Sequence, residues 1–372
     1  MRIIKVLPIV LATLLPMRDA LAEPPSLAAA ARSFLAALAE DQRDVASWAF
    51  DHPEREAIRF APVRLEGARH GHLEPRAKAE GEDLLARLMS PRGYEKSKAI
   101  RLLERDLRVL ESGWEQVNDF RDPERYHWAF FGEPEADSNW GFRFEGHHLS
   151  INVTAAPGRV AATLPLFLGA RPRLASRGMP SAGVAALGVE ERLVRELYRS
   201  LAGDQLEAAT LPYKAERGHM LGQVATLADP PPKGLPRSAM TARQQALLDE
   251  FLALFTGLWN VEIAAAREAE VAAARDGLHF AFATLDQPPH DPFYVRVSGP
   301  GLLIEIDNTE DGDHLHAVWH RPGSDFGRDL MTAHVERHQT GLSGAKLARI
   351  SHQVACANDE CLGNQLLVSE SR

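Results

Sequence analysis

Cysteine is nearly missing from this chain: two in 372 residues, Cys356 and Cys361, both in the segment CANDEC near the end. That excludes a disulfide framework as the source of the fold. In an oxidising compartment a local Cys356–Cys361 disulfide closing the tail is expected, with metal ligation beside His352 as the minor alternative. Basic runs are missing as well, and the formal charge is −9, so neither nucleic acid nor an anionic membrane is an expected partner. Neither GxGxxG nor GxxxxGK[ST] occurs, which removes the nucleotide-phosphate loops. Beyond the first twenty residues no stretch is apolar enough to cross a bilayer.

What is present starts with the N-terminus, MRIIKVLPIVLATLLPMRDALAEPP. Arg2 and Lys5 precede an apolar stretch from Val6 to Met17, and Ala20-Leu21-Ala22 offers an A-x-A cleavage site. This is the layout of a secretory signal peptide over 1–22, interrupted by Pro8 and Pro16 and short for a span. The expectation is a periplasmic or secreted protein with no stable membrane anchor after cleavage. Losing Arg2, Lys5, Arg18 and Asp19 takes the formal charge from −9 to −11.

The chain also repeats itself. HWAF at 127–130 matches HFAF at 279–282, and WGFRFEGHHLSINVT (140–154) aligns without gaps on FYVRVSGPGLLIEID (293–307). Upstream, MSPRGYEKSKAIRLLERDLRVLE aligns with MTARQQALLDEFLALFTGLW, and LAEDQRDVA with LAGDQLEAA. Four blocks in one order predict a tandem duplication. The fold class is α+β, each half a helical segment followed by an antiparallel β meander. The expected units are 23–175 and 184–340, joined by PRLASRGMPSAG, with 341–372 as a tail. Ser90-Pro91 and Thr241 are helix starts. SLAAAARSFLAALAEDQRDVASWAF is expected to form one helix, followed by an irregular segment and a second helix over 89–111.

The hairpins position the chemistry. A two-residue loop with glycine first places Gly146-His147 and Gly299-Pro300 at the tips. Phe144 then faces Leu149, Phe142 faces Ile151, and Glu145 faces His148; Val297 faces Leu302. Every second pair is apolar, as one buried face requires. The other face carries Tyr294, Arg296, Glu305 and Asp307. If HLHAVWH (314–320) folds back as a third strand, Glu305 opposes His316 and Asp307 opposes His314. In the first half, Val160 and Ala162 would stand where His314 and His316 stand in the second.

Imidazoles and carboxylates on one patch suit Zn²⁺ with an open position, copper or iron, or metal-free acid–base chemistry. The plain alternative is a solvent-facing sheet whose polar residues merely tolerate water. The candidate metal ligands are His147, His148, His314 and His316; the candidate catalytic residues are Glu305, Asp307, Arg296 and Glu145. Arg296 would hold an anionic substrate group. Weaker candidates are His334 and His338 at helical i, i+4 spacing, the S-x-x-K tetrapeptide at Ser343, and the loop pair His70 and His72.

The segments FGEP, WGFRFEGHHLSINVT, PLFLGARP and DNTEDGDHLHAVWHRPGSDFGRDLMTAH resemble a bacterial family catalogued as domain of unknown function 3500. The likeness spans nearly all of the mature chain. It covers His147, His148, Asn152, Arg296, Glu305, Asn308, His314, His316, Asp325, Gly327, Asp329 and His334, and departs at Phe293 and His320, where the family pattern has tyrosine and arginine. The resemblance implies candidate residues and no reaction. The expected function is a metal-dependent enzyme acting on a small molecule, with the site between the halves. Hydrolysis comes first and copper or iron oxidation next; the rival is a non-catalytic periplasmic binder of metal or a small ligand.

Overall fold

Ser90 and Pro91 do start a helix: the Ser90 hydroxyl accepts the Gly93 N–H at 3.1 Å, and proline occupies the first turn, where no amide donor is needed. Thr241 caps its helix together with Gln244 in a capping box. In the computed structural model, residues 26–212, 233–284, 292–308 and 312–328 are described. The signal segment, the cysteine pair, His334, His338 and Ser343 lie outside them.

Ten helices are seen among the described residues: α1 (Leu27–Ala37), α2 (Glu40–Ala46), α3 (Pro75–Leu88), α4 (Pro91–Leu102), α5 (Glu104–Leu110), α6 (Val117–Phe120), α7 (Gly188–Arg199), α8 (Asp204–Ala209), α9 (Ala242–Thr256) and α10 (Val261–Ala274). The single first helix expected from periodicity is two, because Leu38 and Ala39 are extended, with ψ of 145° and 157°. The segment expected to be irregular contains α3, and α10 was not anticipated; both bury narrow stripes that a periodicity count passes over. Helices α4 and α10 start back to back. The Ser90 N–H donates to Leu258 O at 2.9 Å, and the Asn260 N–H donates to Leu88 O at 3.1 Å.

The strands are β1 (Ser47–Trp48), β2 (Ala68–Arg69), β3 (Tyr126–Phe131), β4 (Trp140–Gly146), β5 (Leu149–Ala156), β6 (Arg159–Ala162), β7 (Leu166–Ala170), β8 (Leu235–Pro236), β9 (His279–Thr284), β10 (Phe293–Gly299), β11 (Leu302–Asp307) and β12 (Leu315–His320). They form one mixed sheet in the order β1-β3-β4-β5-β7-β12-β11-β10-β9-β8, with β2 on β3 and β6 on β5. Among the described strands only β1 and β3 pair in parallel. The meanders β3-β4-β5-β7 and β9-β10-β11-β12 meet where β7 and β12 pair antiparallel, so both halves share one sheet.

Alternation makes one sheet face apolar. Trp128, Phe142, Phe144, Ile151, Leu166, Trp319, Ile304 and Val295 lie in one buried cluster with helical residues such as Phe34, Leu84 and Phe255. Phe34 and Phe144 sit 4.7 and 4.4 Å from the Trp128 ring, and a Cβ on Gly81 would come within 3.0 Å of it. Each large side chain so buried stabilises by roughly 1.5–3 kcal/mol.

Each turn lies one residue later than expected, which moves the cross-strand pairing by two. Gly146 faces Leu149, Phe144 faces Ile151 and Val297 faces Ile304, so the loops are His147-His148 and Pro300-Gly301. Each pairing thus moves by two residues, an even number, which leaves the apolar face intact. The glycines are there for space: a Cβ on Gly146 would lie 2.4 Å from the Tyr126 ring. Pro300 supplies a fixed negative φ, and Gly301 the positive one, 63°. In the third strand Asp307 faces His316 and Glu305 faces Val318. The first-half strand that corresponds to β12 is β7, which pairs with β5 as β12 pairs with β11; Val160 and Ala162, expected in that place, belong to β6 at the far end of β5.

Candidate metal centre

At the β4–β5 turn, His148 occupies the place that Gly301 holds in the other hairpin, and with the same backbone: φ is 64° for His148 and 63° for Gly301. A left-handed conformation costs a non-glycine residue about 1–2 kcal/mol. That cost is met because surrounding structure over-determines the turn. The His148 N–H donates to Phe60 O at 2.9 Å, and the His148 carbonyl accepts the Gly169 N–H at 2.6 Å. The imidazole lies over Gly169, where a Cβ would stand 2.7 Å from two ring carbons. Gly169→Ala is therefore expected to destabilise by about 1–3 kcal/mol, the cost of overpacking, as read by urea denaturation; an unchanged midpoint would show that the ring moves freely.

Three strands bring the other histidines to that ring. His316 pairs with Gly169 on β7 and with Asp307 on β11. Its Nδ1 lies 3.3 Å from Asp307 Oδ1, so the carboxylate favours a hydrogen on Nδ1 and leaves Nε2 with its lone pair. Nε2 of His316 is 3.0 Å from Nε2 of His314, which is 2.6 Å from Nε2 of His148. A ring nitrogen from each of His147, His148 and His314 also fits within 4.8 Å. Burial, and then the neighbouring positive groups, holds the protonation of His147 and His148 far below the ordinary imidazole range. Both rings are neutral at pH 7, the form that ligates metal.

His147 stacks on His148 at 3.6 Å but faces different company. Its Nδ1 lies 2.5 Å from Glu104 Oε1 and 2.9 Å from Arg121 Nη1, and Arg121 is held on Glu111 by bonds of 2.7 and 3.2 Å. Glu104 and Arg121 were not foreseen. They sit on helical segments that carry no motif, and only folding places them behind the turn. Burial, partly offset by Arg121, pushes the Glu104 carboxyl up to about 8. The folded chain thus holds a proton that the unfolded chain releases above about 4.5, and stability falls as pH rises from there through about 8. The two buried imidazoles act oppositely, and their contribution is complete by about pH 6.5. Glu104→Gln is expected to flatten the fall in stability between pH 6.5 and 8.5, by on the order of a few kcal/mol at about 1.4 kcal/mol per unit. Parallel pH profiles of the two proteins would refute a neutral Glu104.

The polar sheet face is not solvent-facing. Glu305 is 0% exposed, Arg143 1% and His148 2%. The chain around Ile58 and Phe60 lies over it: Phe60 stacks on Phe167 at 3.8 Å and stands 5.9 Å from His316. The remaining sequence candidates are engaged elsewhere on this face. Glu145 pairs with Arg143 Nε at 2.8 Å and accepts the Arg59 N–H at 3.2 Å. The Tyr294 hydroxyl donates to Glu305, and Arg296 Nε donates to that hydroxyl at 2.8 Å. His320 and Asp325, fully buried, close the chain after β12 at 2.6 Å. His70 is a structural contact, accepting the Trp128 indole N–H at 3.2 Å. A hollow of about 410 Å³, lined by Arg159, Arg267, Glu270 and Arg321 among others, has none of these histidines in its wall. No helix among the described residues is long and apolar enough to cross a membrane.

Comparison with known proteins places residues 22–328 under a family model described as "Protein of unknown function (DUF3500)". Neither the curated proteins nor the solved structures contain a match.

Proposed function

The chain belongs to DUF3500, whose description assigns no reaction, and we propose that it is an exported protein in which His148, His314 and His316 hold a divalent metal ion. One observation carries the reading: Nε2 atoms from two separate hairpins converge at 2.6 and 3.0 Å. Lone pairs that close repel one another unless a proton or a cation stands between them. Ligand bonds of about 2.0–2.1 Å at tetrahedral angles separate nitrogens by roughly 3.3 Å, so an ion needs the two separations to widen by only about 0.3 and 0.7 Å. His147 stands beside the ligand set, because its Nδ1 is committed to Glu104 and a guanidinium lies 3.3 Å from its Nε2. The donors suit Zn²⁺, copper or iron.

Three histidine ligands leave a coordination position open, and a metal held that way would supply an activated water for hydrolysis. Hydrolysis of a small molecule is accordingly the first reading, with copper or iron oxidation second. The chain's own residues orient and exclude water: Asp307 sets the His316 tautomer, and Phe60 with Phe167 walls the site. A binding protein without turnover is the other reading, favoured by the closure of the site, with His148 only 2% exposed. The matching order of elements about the β7–β12 seam supports descent of both halves from one duplicated unit. Metal analysis of untagged protein is expected to find one equivalent of zinc, copper or iron. Protein that carries no metal and gains no thermal stability from Zn²⁺, Cu²⁺ or Fe²⁺ would sink the proposal.

A further inference from the structure

The hollow of about 410 Å³ lies between three walls that the fold pins to one another. Helix α10 supplies one, with Glu262, Ile263, Ala266, Arg267 and Glu270 on the stripe that three- and four-residue spacing creates. Strand β6 and Leu164 form the second, and the chain after β12, at Arg321, Ser324 and Gly327, forms the third. Arg267 Nη2 reaches Ala161 O at 3.5 Å, joining the first wall to the second. The Phe326 N–H donates to Leu164 O at 2.7 Å, and Arg321 Nη1 donates to Glu270 at 2.9 Å, joining the third wall to both. A cavity tied together in this way exists before any ligand arrives, and its volume is that of a small-molecule site.

Arg267 gives the hollow its chemistry. Its side chain is 4% exposed, and Nη2 takes both Ala161 O and, at 3.0 Å, Glu270 Oε1. Its Nε has no acceptor among the described residues. The same Glu270 oxygen also takes Arg321, so one oxygen serves two guanidiniums. Burial lowers the Arg267 pKa; Glu270 opposes this, and the charges of Arg321 and Arg159 add to it. The guanidinium keeps its charge all the same, and a buried charged donor without an acceptor is costly. An anion in the hollow would supply the acceptor, in the planar two-oxygen form that suits a guanidinium. Arg159, Arg267 and Arg321 against Glu262 and Glu270 leave the wall one positive charge in surplus, which matches a single negative charge. Val160, Leu164 and Ile263 add an apolar surface for the rest of such a molecule.

We infer that this hollow is a second ligand site that takes a small organic carboxylate, its charged end on Arg267 and Arg321 and its apolar body against Val160, Leu164 and Ile263. The inference does not rest on the metal reading, because none of the clustered histidines lines the hollow. Isothermal titration of the metal-free full chain with benzoate tests it, with benzamide as the uncharged match and inorganic phosphate as the compact anion. One saturable benzoate site is expected, with benzamide and phosphate each weaker by about tenfold or more, the scale of a hydrogen bond to a charged group. Arg267→Met should weaken benzoate by the same factor, and Arg321→Gln severalfold. Ala266→Phe fills the hollow from an exposed helical position, leaves every charge in place, and should block benzoate as fully. If Arg267→Met does not fold, Arg321→Gln and Ala266→Phe decide the question. His148→Ala should bind benzoate like wild type. No benzoate binding by wild type, equal affinity for benzamide or phosphate, or an unchanged affinity in Ala266→Phe overturns the inference. Loss of benzoate binding in His148→Ala would place the ligand at the histidine cluster and overturn it as well.

Discussion

Replacing His148, His314 or His316 singly with alanine is expected to weaken metal binding by well over 100-fold, while His147→Gln stays within about tenfold of wild type. The scale comes from the shell behind the ligands: removing a carboxylate that only orients a ligating imidazole already costs about 10–100-fold. Asp307→Asn should fall in that range, because Asp307 lies 3.3 Å from His316 Nδ1 and orients that ring from behind. Removing an Nε2 itself removes the bond. His147 is the discriminating control, since it stacks on His148 at 3.6 Å and would be disturbed equally by any general loosening of the turn. Competition titration with a chromophoric chelator measures all five variants. If His147→Gln loses metal as fully as His148→Ala, the ligand set is wrong; if His316→Ala keeps it, β12 contributes only His314.

The other large effect concerns the buried charge on the same sheet face. Arg143→Met is expected to destabilise the protein by about 3–5 kcal/mol, because it removes the nearer cation from Glu145 and leaves only Arg59 at 3.8 Å, in a site where Arg143 and Glu145 are each 1% exposed. Arg143 also donates to the Glu54 carbonyl, which ties the covering segment to the sheet. Burial already pushes the Glu145 carboxyl upward against the pull of Arg143 and Arg59. The double variant Arg143→Met, Glu145→Gln should recover a large part of the loss, since the residual cost is then a polar amide and not an ion. Chemical denaturation near pH 7 checks both. A double variant as unstable as the single one would show that Arg143 acts through the Glu54 carbonyl and not through its charge.

The amino-acid sequence by itself determined the local order of this protein. Period-two alternation specified the strands and their apolar face, and Ser90-Pro91 and Thr241 marked their helix starts, because capping and alternation are set by residues within a few positions of one another. The recurrence of β4–β5 as β10–β11 marked His147, His148, Glu305 and Asp307 as residues of interest for the same reason. The turns were placed one residue early, and the pairing two residues off, since a glycine kept for contact with Tyr126 looks in sequence like a glycine kept for its φ. Only the tertiary structure decided the site. The pairing of β7 with β12 joins residues about 150 positions apart and brings His148 to His314. Packing of α5 behind the turn supplied Glu104, and the segment around Phe60 sealed a face that sequence alone would leave in water. Those contacts arise from closing one sheet across both halves, and no local pattern encodes which neighbours that closure brings together.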